Sequence, residues 1–192
     1  MRKEDLALAE GVKTGIAILE QGVKLAAVAL QENQHSDENL EGSDNGLYPN
    51  LIEVAVSHGY KVVDSDKLTK EILKDGRKGL RKRFFSGWVL MVKQGSPLQM
   101  TATLAHELAH HFTPPMTNEN ELQVSESTAE GVAFIVCDQF GLDIGKQAFS
   151  YIARYSRGTV TQDVKERIET IGCQIVASVR DIQRTKTVSS GS

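Results

Sequence analysis

The stretch that most limits how this chain can fold is Thr103-Leu-Ala-His106-Glu107-Leu-Ala-His110-His111, together with the punctuation on either side of it. Ser96-Pro97-Leu98-Gln99 carries the signals of a helix start: a serine cap, proline at the first helical position and glutamine three residues after the cap. Pro114-Pro115 stops the helix, because proline lacks the backbone donor and disfavours helical geometry in the residue before it. Between these limits Leu98, Ala102, Ala105, Leu108, Ala109 and Phe112 make an apolar stripe at helical spacing, so the helix must lie on a core. His106 and His110, four apart, stack on one edge of that stripe beside Thr103, with Glu107 next to them. Two imidazoles so placed can share one divalent cation, and a glutamate beside the first can act as general base towards water. The competing reading is a surface helix whose histidines are simply solvated.

Composition sets few further limits. With 192 residues, 40% apolar and 24% charged, the chain has the length and makeup of one globular domain with a real core. A net charge of −3 gives no general attraction to nucleic acid or anionic membrane. No apolar run follows Met1-Arg-Lys-Glu-Asp, and no run of 18 apolar residues occurs, so neither a secretory signal nor a transmembrane helix is expected. Cys137 and Cys173 each sit on an apolar helical pattern and read as free thiols in a reducing compartment, which places the protein in the cytoplasm.

Along the chain, apolar positions at Leu8, Val12, Ile16, Leu19, Val23, Ala26 and Leu30 predict an amphipathic helix from about Glu4 to Gln31, which tolerates Gly11, Gly15 and Gly22 at some cost. It could pack on the body of the domain or on a partner. Asn33 to Gly46 is polar and acidic and reads as a mobile linker; His35 within it is a solvated loop residue or an adventitious metal ligand. The compact domain is expected to span 47–184, after an N-terminal segment 1–46 and before a disordered tail 185–192. Within it, Pro49 to His58 predicts a short helix ended by Gly59, Tyr60 to Val63 a strand, and Leu68 to Leu73 a helical turn. Six cations follow in the ten residues Lys74 to Arg83, a run that suits a solvated loop, nucleic acid or an acidic substrate. Phe84 to Val92 is rich in strand formers and predicts a strand or hairpin, whose free edge could border the metal and pair with an extended peptide. Three more helices are expected: Leu122 to Phe140 with Gly141 as its stop, a stretch through Ala148, Ile152 and Tyr155, and one from Thr161 past Ile182.

A catalytic zinc usually has three protein ligands and one open position. No third histidine follows His110 at the spacing one common pattern requires, so the other solution, a glutamate from a following helix, is expected. Glu126-Ser-Thr-Ala-Glu130 offers two carboxylates on one helix face. We assign Glu126 as ligand and Glu130 as the carboxylate that holds a histidine's second N–H, with the reverse assignment as the alternative. An exposed acidic face is the bland reading of the pair.

His106-Glu-Leu-Ala-His110, followed by Glu126-x-x-Ala-Glu-x-Val-Ala-Phe-x-Val-Cys137 and Phe140-Gly-Leu-Asp143, resembles the ImmA/IrrE-like and ArdC-like zinc metallopeptidases over roughly 47–158. The resemblance implies an α+β gluzincin fold, with a small, mainly antiparallel sheet packed against helices and Zn²⁺ between the two motif helices. It also implies a bacterial, phage or mobile-element setting and, as substrate, a regulatory protein such as a repressor. The expected chemistry is endopeptidase hydrolysis, with His106, His110 and Glu126 on the metal and Glu107 as the base. Tyr151, Tyr155 and His111 are candidate oxyanion donors, and Trp88 a core or substrate-wall residue. The alternatives are a zinc-containing sensor or binding module that cleaves nothing, and action on nucleic acid through the basic run. Mn²⁺ or another divalent ion could take the zinc's place.

Overall fold

The computed structural model describes residues 3–31, 40–64, 78–84, 87–113 and 118–190. The expected turn at Leu68 to Leu73, His35 and the proline stop at Pro114-Pro115 lie outside these. The architecture is α+β. Among the described residues, helices α1 (Lys3–Gln31), α2 (Leu47–Ser57), α3 (Pro97–Phe112), α4 (Glu119–Gln139), α5 (Gly145–Ser156) and α6 (Gln162–Ser190) accompany three strands: β1 (Tyr60–Val63), β2 (Gly79–Phe84) and β3 (Gly87–Val92). No described helix is long and apolar enough to cross a membrane.

The strand order is β1-β3-β2. β2 and β3 form an antiparallel hairpin, whereas β1 runs parallel to β3, with Tyr60 opposite Trp88 and Val63 opposite Met91. The sheet is therefore mixed rather than mainly antiparallel. β3 is also its central strand, not an edge: Leu90, Met91 and Val92 are buried, and both its sides are paired. A parallel strand needs a crossover connection, and the 64–78 segment between β1 and β2 provides the length for β1 to take the far side of β3. The basic run does not end as a loop; its second half is strand β2.

α4 is the central helix. From Ser125 to Cys137 it is buried almost all round, with α1, α3, α5 and α6 packed against it. Leu104 and Leu108 of α3, Ile135 of α4, Ile152 of α5, and Ile168 and Ile175 of α6 are fully buried in one core. Each such side chain contributes about 1.5–3 kcal/mol. α1 belongs to the same core: Val12, Leu19 and Val23 have no exposed surface. The boundary expected at Leu47 thus does not separate α1 from the rest. Its glycines have a packing reason. A Cβ on Gly22 would sit 2.2–2.6 Å from ring carbons of Phe149, so glycine lets α1 close on α5.

Two further segments are more tightly held than the sequence suggests. Residues 40–46, expected to be mobile, run against the start of α3: the Leu40 N–H donates to Gln99 Oε1 at 3.2 Å, Ser96 Oγ donates to the Leu40 carbonyl, and the Leu98 N–H donates to the Gly42 carbonyl at 3.2 Å. Ser96 still caps α3, accepting from the Gln99 N–H at 3.1 Å. At the other end, α6 continues to Ser190, past the expected end at Arg184. Lys186 anchors this last part to α2 through Asn50 at 2.8 Å and Glu53 at 2.6 Å. Cys137 is a buried free thiol and Cys173 a partly buried one.

Candidate metal centre

α3 and α4 lie side by side, and their polar faces meet in one place. From α3 come His106 and His110, one turn apart; from α4 comes Glu126. His106 Nε2 lies 3.1 Å from His110 Nε2, 3.5 Å from Glu126 Oε2, and His110 Nε2 lies 3.5 Å from Glu126 Oε1. One ligand atom from each residue falls within 4.8 Å of the others. Ligands about 2.0–2.1 Å from a tetrahedral ion stand about 3.3 Å from one another. The three side chains are therefore spaced as the corners of such a site, and the group is positioned to hold a metal ion.

Each of the three is also oriented from behind, as metal ligands generally are. His106 Nδ1 meets Glu130 Oε2 at 2.9 Å. His110 Nδ1 meets Ser125 Oγ at 3.2 Å. The Tyr151 hydroxyl, from α5, donates to Glu126 Oε2 at 2.9 Å. With a proton on each Nδ1 facing its acceptor oxygen, both Nε2 lone pairs point into the shared space, an arrangement that a cation relieves. The two carboxylates of α4 thus have separate places: Glu126 faces both Nε2 atoms, and Glu130 stands behind His106. Tyr151, a candidate oxyanion donor in the sequence, is committed to Glu126.

The electrostatics follow from this crowding. Burial lowers the proton affinity of His106, but the carboxylates of Glu126, Glu130 and Glu107 outweigh it and hold the metal-free imidazole up to about 10. His110 is pushed down, by burial and by the charge on His106. Burial opposes charge on Glu126, yet the two histidines and the Tyr151 hydroxyl hold its carboxyl below the usual range. One positive charge is called for among three carboxylates; a proton supplies it in the absence of metal.

Glu107 stands apart from the three ligand positions. It is buried, and burial, with repulsion from Glu126, raises its proton affinity despite the opposing charges of His106 and Arg81. The sheet holds it. A Cβ on Gly79, the first residue of β2, would lie 2.7 Å from Glu107 Cγ and Oε1, so only glycine lets the strand pass. Two residues on, the backbone N–H of Arg81 faces the Glu107 carboxylate and favours its charged form. His111, the next residue after His110, turns to the sheet: its Nδ1 pairs with the Tyr60 hydroxyl at 2.8 Å, and its ring lies 4.9 Å from that of His58. Tyr155 packs on Tyr151 with ring centroids 5.0 Å apart. Trp88 is 38% exposed, beneath the Arg81 guanidinium at 5.0 Å.

Ser125, Gly79 and Arg81 escaped the reading of the sequence. Ser125 had a signal, since any bound histidine needs an acceptor for its other nitrogen and Ser125 adjoins Glu126. The role of Gly79 had none, because it depends on a strand brought in from outside the motif. Comparisons with known proteins add no likeness: no protein-family model, no curated protein and no solved structure matches the chain.

Proposed function

We propose that the protein is a zinc-dependent endopeptidase of the zincin type, acting on a protein substrate of the regulator or repressor kind that its resemblance to ImmA/IrrE-like and ArdC-like domains implies. The donor set supports zinc: two imidazole nitrogens and one carboxylate at tetrahedral spacing, the three protein ligands that a catalytic zinc usually has. His106, His110 and Glu126 would hold the zinc ion, which would supply Lewis acidity towards water and a substrate carbonyl. Glu130 and Ser125 fix the imidazole tautomers, and Tyr151 fixes the Glu126 carboxylate. Glu107 takes the proton of the attacking water and returns it to the amine nitrogen as the C–N bond breaks.

The observation that carries the reading is Glu107 itself: a buried carboxylate beside the ligands, outside their set, and packed against Gly79 at the start of β2. A purely structural metal site has no use for such a base. The edge is the second support. Among the described residues β2 pairs with β3 alone, so its other side offers backbone groups to an extended peptide within reach of Glu107. This moves the peptide-pairing role from the strand before the motif helix, as expected from chain order, to the strand before that.

Glu107→Gln tests the proposal. Metal analysis should read one ion per chain in both proteins, and hydrolysis of a mixed peptide pool, followed by mass spectrometry, should fall by about 10²–10⁴-fold in the variant. Equal cleavage by variant and wild type would remove Glu107 as the base, and no cleavage by either protein with its ion bound would sink the reading and leave a zinc-containing binding module in its place.

A further inference from the structure

The cations beside the metal centre are placed with more order than a solvated strand requires. In the β2–β3 hairpin the Lys93 N–H bonds to the Lys78 carbonyl at 2.8 Å, which fixes the phase of the ladder. Residues alternate between inward-bonded and outward-facing backbone, so the groups facing the free edge belong to Gly79, Arg81 and Arg83. The Arg81 N–H, on this outward side, is the one that favours the charged form of Glu107. Side chains alternate as well. Gly79, Arg81 and Arg83 share one face with their partners Val92, Leu90 and Trp88, the face whose Gly79 touches Glu107. Leaving Glu107 along β2, the strand therefore presents Arg81 and then Arg83, about 6.6 Å apart.

Both guanidinium groups lie on Trp88, with Cζ at 5.0 Å and 5.9 Å from the ring centroid. Arg81 also donates to the Tyr60 hydroxyl at 3.3 Å. Among the described residues, Arg81, Lys82 and Arg83 make no ion pair. The two forks are held in place by stacking, and most of their donors are left for an anion.

We propose that Arg81 and Arg83, braced by Trp88, form a specificity site for acidic side chains of a peptide segment bound along the free edge of β2. The proposal rests on the peptidase reading and names the substrate chemistry of that same site. Nucleic acid is the other polyanion that cations and aromatic rings attract. It fits less well here. The Trp88 ring that would stack a base carries the two guanidinium groups instead, and the outward C=O groups of Gly79, Arg81 and Arg83, with the N–H groups of Gly79 and Arg83, match a peptide backbone.

The test has a binding arm and a cleavage arm. Zinc-loaded Glu107→Gln protein is titrated against fluorescent glutamate-rich, lysine-rich and glycine-serine peptides and an oligothymidylate, with anisotropy as readout. The glutamate-rich peptide should bind best, weaken as salt is raised, and lose on the order of tenfold in affinity when Arg81→Leu and Arg83→Leu are added. Arg81→Glu should favour the lysine-rich peptide, and Arg81→Lys should keep part of the original preference; a merely structural role predicts neither. In the cleavage arm, wild-type protein should cut a mixed peptide pool with aspartate or glutamate enriched at one position, and Arg81→Leu should cut without that enrichment. Cleavage with no acidic preference, equal binding of acidic and basic peptides, or tighter binding of the oligothymidylate through the same arginines would overturn the proposal. Arginine-dependent binding of the acidic peptide without any cleavage would instead leave this site standing and remove the peptidase reading.

Discussion

Residue by residue, the candidate metal centre is built from pairs in which one group sets the state of another. Tyr151 is the clearest case. Its hydroxyl donates to Glu126 at 2.9 Å, and it reaches the site from α5, which contributes no ligand of its own. Tyr151→Phe removes that donor and keeps the ring that lies 5.0 Å from Tyr155. Zinc affinity, measured by competition with a chromophoric chelator, should fall about 10–100-fold while unfolding stability changes little. Unchanged affinity would show that Glu126 needs no outside orientation. Ser125 and Glu130 act on the histidines in the same way, from the far side of each ring.

Among the elements, close approach explains features that propensity does not. Glycine inside a helix costs roughly 1 kcal/mol relative to alanine, yet α1 carries three, and the one at Gly22 sits against the Phe149 ring. Gly22→Ala should therefore destabilise the protein, because overpacking of about 1–3 kcal/mol exceeds the propensity gain. Urea unfolding reads the sign; a more stable variant would mean that α1 and α5 can separate without cost. β2 makes the complementary point. Its consecutive cations discourage edge-to-edge pairing with another sheet, while Gly79 lets that same edge come down on Glu107. A strand that reads as a charged loop in the sequence is thus a wall of the site.

The whole molecule ties metal, protons and stability together. The folded, metal-free chain holds His106 up to about 10, against burial, whereas an unfolded imidazole titrates near 6.5. A raised folded value means that the folded state binds the extra proton. The stabilisation is full below about pH 6.5 and is lost as pH rises towards 10. Glu107, also raised, adds a loss of the same sign. A bound divalent cation supplies the positive charge without a proton. Chelator-treated protein should therefore lose Tm between pH 7 and pH 10, and the gap to zinc-loaded protein should widen over that range in differential scanning calorimetry. A gap that narrows would contradict the arrangement of charges described above.

What the sequence determined by itself is local. The limits of α3, its serine cap, the single edge shared by His106 and His110, and the pairing of Glu126 with Glu130 on α4 all follow from hydrogen bonds and side-chain directions repeating within a few residues. The helical periodicity of α1, α4 and α6 was equally legible, because each buries a stripe or a whole surface in the core. What only the tertiary structure decided involves residues far apart in the chain. Nothing in strand propensity places β1 parallel to β3 and leaves β2 at the edge, since register is settled by which faces the helices cover. Nothing in the motif announces that Gly79 and Arg81 would reach Glu107, or that Tyr151 would hold Glu126. Local periodicity fixes the residues that could bind a metal; long-range packing fixes the groups that orient them and the edge they face.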